Sequence, residues 1–328
     1  MSAITPFVAG APPVAATARR AGAHAFGPLA PLVGDPRVTD VFVNGGEVWA
    51  DRGRGPERLP ASGMDAEAAR ALAVRLIGLA GRHVDEAAPC VDARLGDGVR
   101  VHVVLPPIAP AGPLVSIRLP ALEPWSLERL DAAGFLPGRT RARIEALVAE
   151  RRNVLVSGAA GSGKTTLLSA MLGLARPSER IVVIEDVGEL RVDHPHVVAL
   201  ETRQANLEGA GAIGLPRLVR EALRMRPDRL VLGECRGEEI RDLLAALNTG
   251  HDGGAGTIHA NSLVDVAARL EALGALAGLS PDAVARQAVS ALHAVIHVEL
   301  GPAGRRVAAI GRPRLDAGGR FSIVEDPG

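Results

Sequence analysis

The chain has 328 residues, 47% of them hydrophobic, and carries 37 basic against 37 acidic side chains, enough for about two well-filled domains but without the basic excess of a nucleic-acid binder. Aromatic residues make up 2% and Tyr is absent, which leaves few platforms for base stacking. The two cysteines, Cys90 and Cys235, form neither a disulfide framework nor a zinc spacing and suit a reducing cytoplasm, and no apolar run reaches the roughly 18 residues of a membrane span.

Residues 1–27 are rich in Ala, Gly and Pro without a period and are expected to be disordered, with order beginning near Gly27. Val38 to Ala50 reads as strand, Asn-Gly-Gly turn, strand. Asp65 to Ala80 has helical spacing behind two possible caps, Ser62 and Asp65. Val91 to Leu105 reads as a second hairpin around Gly96-Asp97-Gly98, and Leu114 to Leu119 as one more strand. Residues 28–120 therefore predict a small α+β domain, and the Pro- and Gly-punctuated stretch 121–138 a linker. From about Thr140 the pattern changes to a helix and then apolar strands alternating with helices: 154–157, 180–185, 197–200, 230–233 and 256–259 for the strands. Continuous apolar strands separated by helices predict a buried, mainly parallel sheet over residues 139–328, an α/β domain. Residues 294–325 read as antiparallel strands closing one edge.

The sharpest motif is Gly158-Ala-Ala-Gly161-Ser162-Gly163-Lys164-Thr165. It fits G-x-x-x-x-G-K-[ST], follows a predicted strand and opens a predicted helix, which is the context that gives such a motif meaning. The glycines turn backbone N–H groups inward around phosphate oxygens, and the helix adds its positive end. Lys164 is placed to neutralise the β- and γ-phosphates and Thr165 to ligate Mg²⁺, with Thr166 completing the cradle. ATP and Mg²⁺ are the expected ligands.

Hydrolysis also needs carboxylates. The strand Ile181 to Glu185 ends in Glu185-Asp186, with Glu189 one turn later, and the strand Leu230 to Gly233 ends in Glu234. Ligands of open α/β sheets bind at the carboxyl ends of the strands, so these acids are expected beside the P-loop: Glu234 holding Mg²⁺ through water, and Glu189 or Glu185 orienting the attacking water. His251 and His259 recur on the next segment, and His259 ends an apolar strand at the same edge, where it can sense the γ-phosphate. His293 and His297 are four apart but straddle a helix-to-strand break and are not read as a metal pair.

These boxes, in this order, resemble the secretion ATPase superfamily of type II and type IV secretion and type IV pili. Met225 to Glu234, Leu247 to Asp252 and Gly256 to Asn261 are most similar to the tight-adherence (Tad/Flp) pilus and conjugal-transfer branch, and Asp40 to Asn44 and Arg100 to Pro107 match as well. The resemblance implies a RecA-like P-loop ATPase domain behind a small N-terminal domain. It implies six subunits in a ring and a polytopic inner-membrane platform protein as partner, at the cytoplasmic face of the membrane. It also implies that Glu189 is the catalytic glutamate, that Glu234 is the Walker B acid, and that arginines near the domain junction reach the phosphates, Arg118 matching one of them and Arg203 being another candidate. Gly254-Ala-Gly256 is smaller than the family's pattern, which would loosen that strand. Two other readings stay open: an ATP-gated binding scaffold with little turnover, and a nucleic-acid translocase, which the balanced charge disfavours.

Overall fold

A computed structural model describes residues 22–60, 64–120, 124–203, 210–302 and 304–326. The chain divides into two compact units, with the division between Glu123 and Pro124.

In the N-terminal unit a 3₁₀ turn (Ala23–Leu29) and a single helical turn α1 (Ala30–Val33) precede an antiparallel sheet. The sheet is built from β1 (Asp40–Asn44), β2 (Glu47–Asp51), β3 (Pro56–Arg58), β4 (Cys90–Arg94), β5 (Arg100–Val104) and β6 (Leu114–Arg118), in the order β3-β2-β1-β6-β5-β4. The β1–β2 turn needs positive φ at both central residues, and Gly45 and Gly46 supply it at 62° and 126°. Alternate residues such as Val41, Val43, Val101, Val103, Val115 and Ile117 are buried, so one sheet face is the core face. Helix α2 (Ala66–Leu79) closes it with Ala69, Leu72, Ala73, Leu76 and Ile77, an i, i+3, i+4, i+7, i+8 stripe. Asp65 caps this helix by accepting the Ala68 N–H; Ser62, the other expected cap, lies outside the described residues. Order sets in earlier than Gly27, since Phe26 is already buried in this core; residues 1–21 lie outside the described residues.

In the second unit the sheet order is β14-β13-β12-β7-β11-β10-β8-β9. The strands β7 (Val154–Gly158), β8 (Ile181–Glu185), β9 (Val197–Glu201), β10 (Arg229–Cys235), β11 (Ala255–His259) and β12 (Ala294–Gly301) are mutually parallel. Strands β13 (Gly304–Leu315) and β14 (Phe321–Glu325) complete an antiparallel edge. β12 thus belongs to the parallel body, and only β13 and β14 form the antiparallel closure expected of the tail. β7 and β8 are buried along their whole length, as strands covered on both faces must be. Helices α6 (Leu215–Leu223), α7 (Glu239–Leu247), α8 (Asp265–Leu276) and α9 (Pro281–Ala291) cover one face through a core that includes Leu155, Ile184, Leu232 and Ile258. Helix α5 (Lys164–Leu172) lies against β7 and β11, with α3 (Leu127–Ala132) and α4 (Thr140–Ala149) packed on it.

Two expectations are corrected here. Much of the stretch expected as a linker is core: Leu127, Leu130, Phe135 and Leu136 are all buried, and Ser126 caps α3 by accepting the Arg129 N–H. Pro and Gly punctuation marks turns, but it does not exclude a short helix between them. The small residues Gly254 and Gly256 do not loosen β11. A Cβ at Gly254 would stand 2.3 Å from the Leu247 side chain, and one at Gly256 would stand 3.2 Å from the Leu232 carbonyl, so their smallness lets α7 and β10 approach closely.

Candidate active site

Because β7, β8, β10 and β11 run parallel, their carboxyl ends share one edge, and four strands deliver chemistry to it. β7 ends in the P-loop. Gly158 has φ 151°, and a Cβ there would sit 2.2 Å from the Val298 carbonyl and 2.6 Å from Ser162 Oγ, so no other residue fits. Gly161 and Gly163 also have positive φ, 71° and 101°, which folds the backbone into a concave nest ahead of α5. The buried Ser162 hydroxyl has no hydrogen-bond partner among the described residues. A cradle that side chains would fill, an unsatisfied hydroxyl and a helix N-terminus together fit a phosphate chain.

Lys164 Nζ donates to the Gly158 and Ala159 carbonyls at 3.0 and 2.9 Å and stands 3.3 Å from His259 Nδ1. Burial holds its pKa below the usual lysine value against the opposing pull of Glu234 and Glu189, so an added anion would strengthen its charge. The neighbouring Thr165 hydroxyl donates to Glu189 Oε2 at 3.4 Å.

Glu234 projects from an irregularity in the β10–β11 ladder: the register shifts between Leu232 and Cys235, and such a bulge re-aims a side chain. Its Oε2 accepts from Arg236 Nη2 at 2.7 Å, and its Oε1 lies 2.8 Å from His259 Nε2. Burial pushes the Glu234 carboxyl up, but the Arg236 hydrogen bond and the charges of His259, Arg236 and Lys164 outweigh it and hold the group below the ordinary value. Burial, then Lys164, push His259 down, toward the neutral imidazole. Lys164, His259 and Glu234 thus form a continuous chain of contacts, with Thr165 and Glu189 beside it.

The model of the type II/IV secretion system protein family matches residues 26–305. The chain belongs to that family. A putative conjugal transfer protein of Mycobacterium tuberculosis is 47% identical over 305 residues, covering 91% of this chain and 87% of its own length. The type IV secretion system protein PtlH of Bordetella pertussis is 34% identical over 261 residues, 71% of this chain and 76% of that protein. The crystal structure of the pilus retraction motor PilT with bound ADP superposes with a TM-score of 0.62 at 21% identity, covering 89% of this chain and 80% of that one, a likeness of fold.

In this member of the family the sequence-predicted residues divide. Gly158, Gly161, Ser162, Gly163, Lys164 and Thr165 form the nest and open α5, and Thr166 is in the first turn of that helix. Glu189, Glu234 and His259 meet around them. Glu185 does not face them as a second candidate base. It is buried, its Oε1 accepts the N–H groups of Glu189 and Leu190 at 2.9 and 3.1 Å, and its Cγ lies 2.5 Å from where a Cβ of Gly233 would be. It braces the turn that carries Glu189. Burial raises its pKa to about 7, the two backbone N–H groups pulling the other way.

His251 is a second correction. It precedes β11 at the amino edge of the sheet, where its Nδ1 contacts the Ala246 carbonyl at 3.2 Å, whereas the P-loop sits at the carboxyl edge. The sequence pairs the two histidines as a box, but a five-residue strand separates them and sends them to opposite ends. Arg203 follows β9 at the carboxyl edge, in a bridge with Ile213 and with its guanidinium beside Gly211. Arg118 belongs to the N-terminal unit, exposed at the end of β6 and 3.4 Å from Asp40.

Four site residues escaped the sequence reading. Arg236 had a local signal, two residues past Glu234. Thr257, whose hydroxyl donates to the Gly233 carbonyl at 2.6 Å, fixes the β10 end from β11. Phe135 and Arg305 had none: Arg305 Nε donates to the Gly161 carbonyl at 2.6 Å across 144 residues of sequence.

Cys235 lies in the hydrophobic core, where burial pushes its thiol well up, so it is inert packing beside Glu234. Among the described residues no group of three or more His, Cys, Asp or Glu side chains is set to hold a metal by itself. The Thr165 hydroxyl and the Glu189 and Glu234 carboxylates are oxygen donors of the kind Mg²⁺ takes together with substrate phosphates. Among the described residues no helix is long and apolar enough to cross a membrane.

Proposed function

We propose that this chain is the Mg²⁺-dependent ATP-hydrolysing subunit of a secretion or conjugation motor. We infer that it works as a ring of six copies at the cytoplasmic face of a membrane, against a polytopic platform protein. The observation that supports this best is the meeting of Lys164, Thr165–Glu189 and Glu234–His259 at one sheet edge. A pure binding scaffold needs only the nest.

The inward N–H groups of 158–165 hold the phosphate chain. Lys164 exchanges two neutral carbonyls for β- and γ-phosphate oxygens, a charge-assisted and stronger pairing. Thr165 and, through water, Glu234 would hold Mg²⁺, which would supply charge neutralisation at the phosphates. Glu189 orients the attacking water and takes its proton. His259 touches both Lys164 and Glu234, so it responds when the γ-phosphate leaves and Lys164 returns to the loop. Arg118 and Arg203 are proposed to add positive charge to the transition state when the machine closes.

Lys164→Ala should abolish ATP binding, and Glu189→Gln should bind ATP with kcat lowered about a hundredfold or more. Steady-state phosphate release and a binding titration read both. Unchanged hydrolysis in the two variants would end this assignment. Sedimentation of Glu189→Gln with ATP tests the ring, and a monomer under every condition would end that part.

A further inference from the structure

The sheet order separates the two sides of the P-loop strand. His259, Glu234 and Glu185 come from β11, β10 and β8, all on one side of β7, while β12 and β13 lie on the other. On the nucleotide reading above, the γ-phosphate end would face β11 and the nucleoside end would face the β12–β13 hairpin. That hairpin is pressed against the loop at two points. Val298 O is 2.2 Å from where a Cβ of Gly158 would be, and the Arg305 stem is 3.6 Å from the corresponding point on Gly163, beside the Phe135 ring at 3.2 Å. The Val307 N–H donates to the Phe135 carbonyl at 2.9 Å, which ties β13 to this ring. Arg305 is half-buried, and burial alone lowers its pKa. Its Nε is taken by the Gly161 carbonyl. Among the described residues neither of its Nη groups has a hydrogen-bond partner or an acid in reach. One N–H is committed to the loop, and a planar fork is left open to a ligand beside it.

We propose that Arg305 is a nucleoside-contacting residue: its Nε fixes the P-loop at Gly161, and its remaining guanidinium face packs on the base and ribose of the bound nucleotide. This rests on the nucleotide reading above. The stem and plane suit stacking on an aromatic base, and the fork suits ribose hydroxyls. Its fork contacts the nucleoside end and not the reacting phosphate, so its signature is a loss of affinity that depends on the nucleoside.

The test compares ligands with and without a nucleoside. Affinities of ATP, ADP and inorganic tripolyphosphate are measured by calorimetry on the full chain and on Arg305→Ala and Arg305→Lys. The expected result for Arg305→Ala is about tenfold weaker ATP and ADP, with tripolyphosphate within about twofold. Arg305→Lys keeps the stem and one donor for Gly161 and should lose less on the nucleotides and nothing on tripolyphosphate. It carries the comparison if the alanine variant does not fold. Equal loss on all three ligands would make Arg305 a strut of the loop and overturn the proposal, as would no loss on any. A wild-type chain that binds neither ATP nor tripolyphosphate would overturn the nucleotide reading itself, an outcome the wild-type titration shows before any variant is made.

Discussion

The two edges of the parallel sheet carry similar residues and treat them differently. At the amino edge the buried charges of Glu179 and Arg229 are matched. The buried Glu179 carboxylate takes Arg229 Nε on one oxygen and Arg151 at 3.3 Å on the other. Arg229 Nη2 goes on to the Val148 carbonyl at 2.9 Å, and Arg151 Nη2 to the Asp252 carbonyl at 3.1 Å. Asn153 donates to the Ala291 carbonyl at 2.8 Å and accepts the Gly254 N–H at 3.0 Å. At the carboxyl edge the groups are held in tension: Lys164 leans on neutral carbonyls, Ser162 has no partner, and Lys164, His259, Glu234 and Glu185 are all shifted from their ordinary values. Paired buried charges specify a structure, whereas incompletely satisfied ones are available to a ligand.

The contrast can be broken most forcefully at the amino edge. Glu179→Gln leaves Arg229 buried without its counter-ion and should cost about 3–5 kcal/mol of stability, lowering Tm by about 10 °C. The folded fraction should retain its nucleotide affinity. Thermal unfolding with a parallel ATP titration reads both, and a stable variant with weakened ATP binding would erase the distinction between the edges.

Glu185 sharpens it at the other edge. Its folded value of about 7 lies above its ordinary 4.5, so the native state holds the proton more tightly than the unfolded chain does. That contribution is complete below pH 4.5 and is lost as pH rises through about 7, a change on the order of 3 kcal/mol. Glu185→Gln still accepts the Glu189 and Leu190 N–H groups but cannot titrate. Its Tm should fall less than that of the wild type between pH 5 and 8, and parallel Tm–pH curves would show that Glu185 is not the titrating brace. The smallest effect is expected at His251. His251→Ala should leave ATP affinity within about twofold, as for a substitution away from the site, while His259→Ala removes the link between Lys164 and Glu234 and lowers kcat. Equal loss of affinity in both would place the two histidines in one functional unit after all.

Much of this was legible in the chain itself. The P-loop is a local device, since its function requires small residues, a lysine and a hydroxyl within eight positions between a strand and a helix. The acids ending β8 and β10 were legible because continuous apolar runs announce strands, and parallel strands present their ends together. The division of labour between Glu185 and Glu189 was not. Both carboxylates follow the same strand within one turn, and only the position of Gly233, which lets the Glu185 side chain fold beneath the turn, separates brace from base. His251 failed for a related reason: proximity in sequence to His259 says nothing about which end of a strand each residue occupies.

The chemistry of the nest, the parallel character of the sheet and the α+β pattern ahead of it follow from residue type and period, because those depend on local backbone geometry and on which faces must be buried. The placing of Phe135 and Arg305 behind the P-loop, the bracing by Thr257 and the partition of charges between the two edges depend on which strands become neighbours. That is a matter of long-range packing that no local window of sequence contains, and only the folded sheet decided it.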